Sequence, residues 1–132
     1  VYRCGFSTTQ DAYNEAVDTL FDTLDWLEQR LGGKRYLFGN QLTEADIRLL
    51  PTLLRFDLVY VGHFKCNKRR IIDYPNLWAY TRDLYQREEI RKTVNFQHIK
   101  NHYYMSHPHV NPSRIVPAGP VVDFEAPHGR SS

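Results

Sequence analysis

The sequence predicts an all-α fold, a bundle of about five helices followed by an extended, proline-rich C-terminal tail. Long stretches without Gly or Pro carry apolar residues at three- and four-residue steps, which is the spacing of an amphipathic helix. Two helix-start signals, Thr43-Glu44-Ala45-Asp46 and Tyr74-Pro75-Asn76, divide the chain. No alternating apolar and polar pattern competes convincingly as evidence for strands.

The first long helix is predicted over about residues 8–31. Ser7 and Gln10 have the spacing of a capping box, and no Gly or Pro follows until Gly32. Apolar residues at helical spacing give this helix one buried face; they are Tyr13, Val17, Leu20, Phe21, Leu24, Leu27 and Leu31. Gly32-Gly33 then supplies the positive φ that ends a helix.

The central helix is predicted to start after Thr43. Thr43 has the N-cap position, and Asp46 can reach back from the third helical position. We assign both residues this structural role, worth on the order of 1 kcal/mol each, and no catalytic role. Apolar residues on several faces between Ile47 and Val61 place the helix in the middle of the domain. Pro51 lacks a backbone donor and predicts a kink.

Three shorter helices are predicted next. The first covers about residues 75–87 and has Pro75 at its first position. A short helix near 88–92 and another from 94 to about 104 follow. In the last of these, Phe96, Ile99 and Tyr103 are spaced to share one face.

The remainder of the chain is predicted to be an extended, partly mobile tail. Residues 106–132 contain five of the seven prolines, which excludes a continuous helix. The sequence therefore divides into a helical domain over residues 1–105 and a tail over 106–132. Local packing of the tail is expected near Ile115 to Pro117 and Val121 to Phe124.

Composition indicates one soluble domain. The chain has 132 residues, of which 42% are hydrophobic, and no apolar run approaches the ~20 residues that span a bilayer. A net charge of +2 does not require a nucleic-acid partner. Cys4 and Cys66 form no Cys-x-x-Cys pattern, so neither a disulfide framework nor a zinc thiolate site is predicted, and a reducing, cytoplasmic location is expected.

The sequence contains two further candidate sites that we do not favour: a histidine pair that could bind a metal ion and a basic segment that could bind nucleic acid. His98 and His102 lie four residues apart, as in a two-histidine metal site, but the Glu of the metalloprotease motif is absent. We therefore predict no metal site. The basic segment 65–70 is interpreted as a solvated loop rather than as a nucleic-acid interface.

Several motifs together resemble a known family. The segments Tyr36–Ile47 (YLFGNQLTEADI) and Tyr74–Leu77 (YPNL) resemble the C-terminal domain of cytosolic glutathione transferases. The motifs VYRCGF at 1–6, RFD with YVGHFK within 55–65, and HYY with SHP within 102–108 are similar to the glutathionyl-hydroquinone reductase branch, the omega-like Xi class. The matches extend from Val1 to about Pro120.

The resemblance implies an activity whose nucleophile this chain lacks. In the family, a thioredoxin-like N-terminal domain binds glutathione, the co-substrate, and carries a reactive cysteine in a Cys-Pro context. Neither Cys4 nor Cys66 precedes a proline, so that domain is expected to be absent from this chain. The intact protein is then an enzyme that reduces S-glutathionyl hydroquinones, and the isolated chain is inactive. The resemblance also implies a homodimer.

The same resemblance assigns substrate contacts to tyrosines. The VY and HYY motifs imply that Tyr2 and Tyr103 contact the aromatic part of the substrate, with Tyr104 as a second candidate. Phenol side chains suit this role because they stack on a ring and donate hydrogen bonds to its hydroxyl groups. The competing interpretation is that most of the nine tyrosines fill the core.

Two other hypotheses remain open at this point. The chain could be a non-catalytic scaffold or dimerisation module, because the Tyr36–Asp46 motif fits such helical domains equally well. The HYY motif and the proline-rich tail fit the reductase branch better. Cys4, near a helix start, and Cys66, beside Lys65, would be reactive thiols if they were exposed.

Overall fold

The computed structural model describes residues 1–130 and consists of helices joined by loops. Its α-helices are α1 (Tyr2–Gly5), α2 (Gln10–Arg30), α3 (Glu44–Arg55), α4 (Val61–His63), α5 (Pro75–Tyr85), α6 (Glu88–Arg91) and α7 (Phe96–Ser106). A π-helical turn, Phe56–Tyr60, joins α3 directly to α4, and a 3-10 turn, Ile71–Asp73, precedes α5. Between residues 1 and 130 there is no β-strand, only an isolated bridge between Tyr36 and Gly39. The all-α prediction is confirmed.

Helix α2 has the predicted buried face but a different start. Its buried residues are Ala16, Val17, Phe21, Leu24 and Leu27. Thr9 is the N-cap and accepts a hydrogen bond from the backbone N–H of Ala12 at 3.2 Å. The predicted capping box of Ser7 with Gln10 is therefore wrong. The Ser7 hydroxyl instead donates to the carbonyl of Arg3, because Ser7 follows the end of α1.

The central helix runs through the middle of the domain. Together α3, the π turn and α4 form one nearly continuous helical segment, and every residue of the π turn is buried. The α-helix continues through Pro51 and changes to π geometry only at Phe56. The backbone N–H of Val61 then donates to the carbonyl of Phe56, five residues earlier.

A buried carboxylate joins three parts of the chain at the start of α3. Asp46 is completely buried. It accepts hydrogen bonds from the backbone N–H of Thr43 at 2.9 Å, the backbone N–H of Leu37 at 3.0 Å and the hydroxyl of Tyr80 at 2.7 Å. Asp46 therefore connects α3 to the preceding loop and to α5, in addition to capping its own helix.

A second acidic side chain fixes the start of α5. Pro75 is the first residue of this helix, as predicted. The carboxylate of Glu28, on α2, accepts from the backbone N–H groups of Asn76 at 3.0 Å and Leu77 at 2.8 Å. These donors have no partner within the helix, and a negative charge is favourable at this helix end. The YPNL motif thus forms a helix start that is capped from another helix.

Residues 107–130 contain neither helix nor strand and pack along α7 and α5. The ammonium group of Lys100 donates to the carbonyls of Pro117 at 2.7 Å and Gly119 at 3.3 Å. Phe124 is buried and stacks on Phe96, with ring centroids 4.8 Å apart. The side chain of Gln86 donates to the carbonyl of Phe124 at 2.9 Å. Both segments expected to pack do so, the first through the partly buried Val116 and the second through Val122 and Phe124.

We expect Asp46→Ala to lower the free energy of unfolding by about 3 kcal/mol or more, because three buried or partly buried donors lose their acceptor. Thr43→Ala should cost about 1 kcal/mol, since it removes one capping hydroxyl, which donates to Asp46 at 3.3 Å, and leaves the other donors paired. Urea unfolding of both variants measures the difference. Equal losses would contradict the connecting role of Asp46.

Candidate functional site

Three phenol hydroxyl groups meet where the N-terminus of the chain crosses the central helix. The hydroxyl oxygens of Tyr2 and Tyr103 are 2.6 Å apart, and those of Tyr60 and Tyr103 are 3.1 Å apart. Both distances correspond to hydrogen bonds, and a phenol hydroxyl both donates and accepts. We refer to Tyr2, Tyr60 and Tyr103 as the phenol cluster.

Each member of the phenol cluster comes from a different element. Tyr2 begins the short helix α1, which lies close to Phe64 because Gly5 has no side chain; a Cβ atom there would overlap the Phe64 ring. Tyr60 is the last residue of the π turn, and Tyr103 lies on α7. The cluster therefore depends on the packing of three segments that are far apart in sequence.

Aromatic rings form the wall around these hydroxyl groups. Tyr60 stacks on Phe64 with ring centroids 5.5 Å apart, and Tyr2 lies 5.2 Å from Phe64. Tyr103 meets Tyr60 edge to face at 5.5 Å. His107, just after α7, lies 5.9 Å from Phe64. Such tilted and edge-to-face contacts are the favourable arrangements for aromatic pairs.

The two tyrosines of the HYY motif point to different places. The Tyr103 hydroxyl joins the phenol cluster, whereas the Tyr104 hydroxyl donates to the backbone carbonyl of Val59 at 3.4 Å. Both rings are buried. In the structure, Tyr103 is therefore brought together with Tyr2, and Tyr104 packs behind them.

A cavity of about 270 Å³ opens beside the Tyr103 ring. Its lining residues are Arg55, His98, Ile99, His102 and Tyr103. A larger cavity of about 410 Å³ between α3 and α7 shares Arg55, His98 and Ile99 with it. The two cavities form one groove that is apolar at the far end and carries a fixed positive charge, Arg55, near the phenol cluster.

Loss of solvent favours the neutral forms of Tyr60 and Tyr2. Burial raises the pKa of Tyr60, and its hydrogen bond to Tyr103 raises it further. The pKa of Tyr2 is raised by burial and by its hydrogen bond to Tyr103, while Arg55 acts in the opposite direction. Tyr2 and Tyr60 therefore hold their protons at neutral pH and can donate hydrogen bonds.

A pair of histidines borders the site. The Nε2 atom of His63 and the Nδ1 atom of His107 are 3.0 Å apart, and the rings stack. His63 is buried, and its Nδ1 atom has no partner among the described residues. Burial, followed by the nearby His107, Lys65 and His109, lowers the pKa of His63 to about 4. His63 is neutral at pH 7.

The structure does not support reactive cysteines in this chain. Cys4 and Cys66 are both free and both buried. Burial raises the pKa of the Cys66 thiol to about 12, so the thiolate that attacks an electrophile is scarce at neutral pH. The exposure on which their reactivity was conditional is therefore absent at both residues.

The other sites considered from the sequence are arranged as follows. His98 and His102 are exposed on α7, and within residues 1–130 no three His, Cys, Asp or Glu side chains are grouped to hold a metal ion. In the basic loop, Lys68, Arg69 and Arg70 each form an ion pair, with Asp18, Asp25 and Asp73 respectively. No helix within that range is long and apolar enough to cross a membrane.

Sequence reasoning missed two members of this site. Tyr60 falls in the apolar run of the central helix, where a core role was the simplest interpretation, and Arg55 was given no role of its own. Both belong to the RFD and YVGHFK motifs within 55–65. Those motifs were the available signal, but only the structure brings Tyr60 to Tyr103.

We expect the free energy of unfolding to decrease as the pH falls from about 6.5 to about 4, beyond what the carboxylates contribute. The unfolded chain binds a proton at His63 in this range, whereas the folded chain does not, so acid favours unfolding. Urea unfolding at pH 7 and pH 5 measures the loss. His63→Gln, which cannot be protonated, should lose less; parallel losses in both proteins would show that His63 does not contribute.

Comparison with known proteins places the chain among glutathione transferases. Residues 10–83 match the family model "Glutathione S-transferase, C-terminal domain". Glutathionyl-hydroquinone reductase YqjG of Escherichia coli (strain K12) is 59% identical over 130 residues, covering 98% of this chain and 40% of that protein. Glutathionyl-hydroquinone reductase PcpF of Sphingobium chlorophenolicum is 62% identical over 121 residues, covering 92% and 39%.

Solved structures agree with the sequence matches. The glutathione-bound structure of YqjG superposes with a TM-score of 0.95 at 58% identity, over 97% of this chain and 42% of that one. The glutathione transferase Xi from Phanerochaete chrysosporium gives a TM-score of 0.90 at 55% identity, over 96% and 40%. The chain spans about two fifths of the length of these proteins. It belongs to the glutathione S-transferase C-terminal domain family, with glutathionyl-hydroquinone reductases and Xi-class transferases among its relatives.

Proposed function

We propose that this chain is the helical, aromatic-substrate-binding domain of a glutathione-dependent thiol transferase that reduces S-glutathionyl hydroquinones. The observation that carries the proposal is the hydrogen-bonded pair of Tyr2 and Tyr103, set in an aromatic wall. The names of relatives at 59% and 62% identity supply the substrate class. Tyr2 and Tyr103 contact the hydroquinone ring in this proposal, and Tyr104 supports them from behind.

The site matches the chemistry of a hydroquinone leaving group. In the proposed reaction a cysteine thiolate attacks the glutathione sulfur of the substrate, forming an S–S bond as the carbon–sulfur bond breaks. The electron pair of that bond passes to the aromatic group, which takes up a proton and leaves as hydroquinone. Donors near the ring oxygens stabilise the negative charge that develops there. Tyr2 and Tyr103 are placed as such donors.

The nucleophile belongs to another part of the protein in this proposal. Cys4 and Cys66 are buried and neither precedes a proline. Glutathione, the co-substrate, is bound mainly by a thioredoxin-like domain outside this chain, and its thiolate resolves the mixed disulfide to give glutathione disulfide. We also place the intact protein in the cytoplasm as a homodimer, since its free thiols suit a reducing compartment and the relatives are transferases.

We expect this chain to bind hydroquinone without turning over S-glutathionyl hydroquinone, because binding needs the phenol cluster and turnover needs the absent nucleophile. Tyr103→Phe should weaken hydroquinone binding about tenfold through loss of one hydrogen bond. Tyr104→Phe, a neighbouring buried tyrosine, should change it much less. NMR shift titration of each protein with hydroquinone measures the affinities.

Three results would count against the proposal. Glutathione-dependent turnover by the chain alone would show that the nucleophile lies within it. Hydroquinone-induced shifts far from α1 and α7 would place the ligand elsewhere. Binding of hydroquinone that is unaffected by Tyr103→Phe would remove Tyr103 from the site.

A further inference from the structure

Two thiols meet beneath the first turn of α1. Cys4 lies on α1 and Cys66 in the loop after α4, and the residues are 3% and 0% exposed. The Sγ atom of Cys66 lies 3.9 Å from the carbonyl oxygen of Val1, which is one helical turn before Cys4 and so on the same side of α1. A hydrogen bond also joins the two thiol groups. The two cysteines, distant in sequence, are therefore neighbours in the fold.

The backbone after α4 brings Cys66 back under α1. Lys65 has a positive φ of 59°, so the chain turns sharply there. The backbone N–H of Cys66 then donates to the carbonyl of Tyr60 at 3.0 Å. On the α1 side, Gly5 lies against the Phe64 ring with no room for a Cβ atom. The two segments are thus held together without any bond between the sulfur atoms.

Cys4 also borders a cavity of about 330 Å³. Hydroxyl and amide side chains, Tyr13 and Lys65 line the cavity with it, and no carboxylate is among the lining residues. Burial raises the pKa of Tyr13, and the charges of Cys4 and then Cys66 raise it further, so Tyr13 is close to both thiols. A polar cavity with a lysine suits an anionic peptide such as glutathione, which carries carboxylates. A small disulfide of this kind therefore has a route to Cys4.

The two thiols have different roles in the chemistry of such a pair. Burial and then the charge of Cys4 raise the pKa of Cys66 to about 12, so Cys66 is a poor first nucleophile. Cys4 is the thiol that lines the cavity. Its thiolate attacks one sulfur of glutathione disulfide and forms a mixed disulfide, while a glutathione thiolate leaves and takes up a proton. Cys4 then carries no charge, and its contribution to the raised pKa of Cys66 is lost.

The second step closes the pair. The Cys66 thiolate attacks the Cys4 sulfur of the mixed disulfide, and a second glutathione leaves and takes up the proton that Cys66 lost. Two electrons have then passed from the cysteines to glutathione disulfide, which is reduced to two molecules of glutathione. Within residues 1–130 no third His, Cys, Asp or Glu joins the pair to hold a metal ion. Disulfide formation is therefore the chemistry that this pair can perform.

We propose that Cys4 and Cys66 are a redox-active pair, which glutathione disulfide converts into an intramolecular disulfide that tethers α1 to the loop after α4. Burial makes this bond slow to form and, once formed, resistant to reduction. Because α1 also carries Tyr2, oxidation holds that residue in place. The inference takes from the proposed function only the origin of glutathione disulfide, as a product of the reaction.

The test equilibrates the chain in glutathione buffers from fully reduced to fully oxidised and measures the intact mass after an acid quench. Oxidised wild-type protein should be lighter by the mass of two hydrogen atoms, carry no glutathione and give a tryptic peptide that links Cys4 to Cys66. Cys66→Ser should instead retain one glutathione on Cys4, since the resolving thiol is missing. Cys4→Ser should stay largely unmodified, because Cys66 does not line the cavity.

A second measurement compares the folded chain with the chain unfolded in urea. The effective concentration of the two thiols, measured against glutathione, should be about a hundredfold higher in the folded protein, because the fold already places them together. Equal values in the two states, wild-type protein that retains glutathione, or free thiols in the fully oxidised buffer would each overturn the proposal. The oxidant is supplied directly, so a failure of the proposed function would leave these results unchanged.

Discussion

The buried carboxylate of Asp46 is the constraint on which the rest of the fold depends. A carboxylate without solvent is tolerated only when donors surround it. Here the donors come from the loop before α3, from its N-cap residue and from α5. The hydrogen bonds to this one side chain therefore fix the relative position of three segments. Burial, and then the same contact, raise the pKa of Tyr80, which keeps that phenol a donor. Asp46 caps its own helix, and its carboxylate also accepts from Leu37 and Tyr80. A local capping residue therefore forms a tertiary contact as well.

The position of the phenol cluster follows from this fixed helix start. Since α3, the π turn and α4 form one segment, the location of Asp46 at one end determines where Tyr60 lies at the other. A second buried carboxylate, Asp57, accepts from the backbone N–H groups of Ile71 at 2.6 Å and Ile72 at 3.1 Å, which fixes the π turn against the loop before α5. Two acids outside the phenol cluster thus determine the position of Tyr60.

Much of the fold was predictable from the sequence because its signals are local. The buried face of α2 follows from helical spacing, and the starts of α3 and α5 follow from Thr43 and Pro75. What the sequence did not show depends on distant pairing. Nothing near Asp46 indicates Tyr80 or Leu37 as partners, and no local pattern marks the π turn. Likewise the resemblance indicated Tyr2 and Tyr103. Only the structure shows which side of α7 faces α1, and hence that the hydroxyl of Tyr103, and not that of Tyr104, contacts Tyr2.

The phenol cluster also explains why a binding surface can be built from side chains that are mostly buried. A single exposed tyrosine is free to donate or accept, so it distinguishes ligands poorly. Coupling it to two buried hydroxyl groups removes that freedom, because an unpaired proton costs far more in the core than at the surface. The aromatic wall that excludes water from Tyr60 therefore contributes to the proposed binding site as well as to packing.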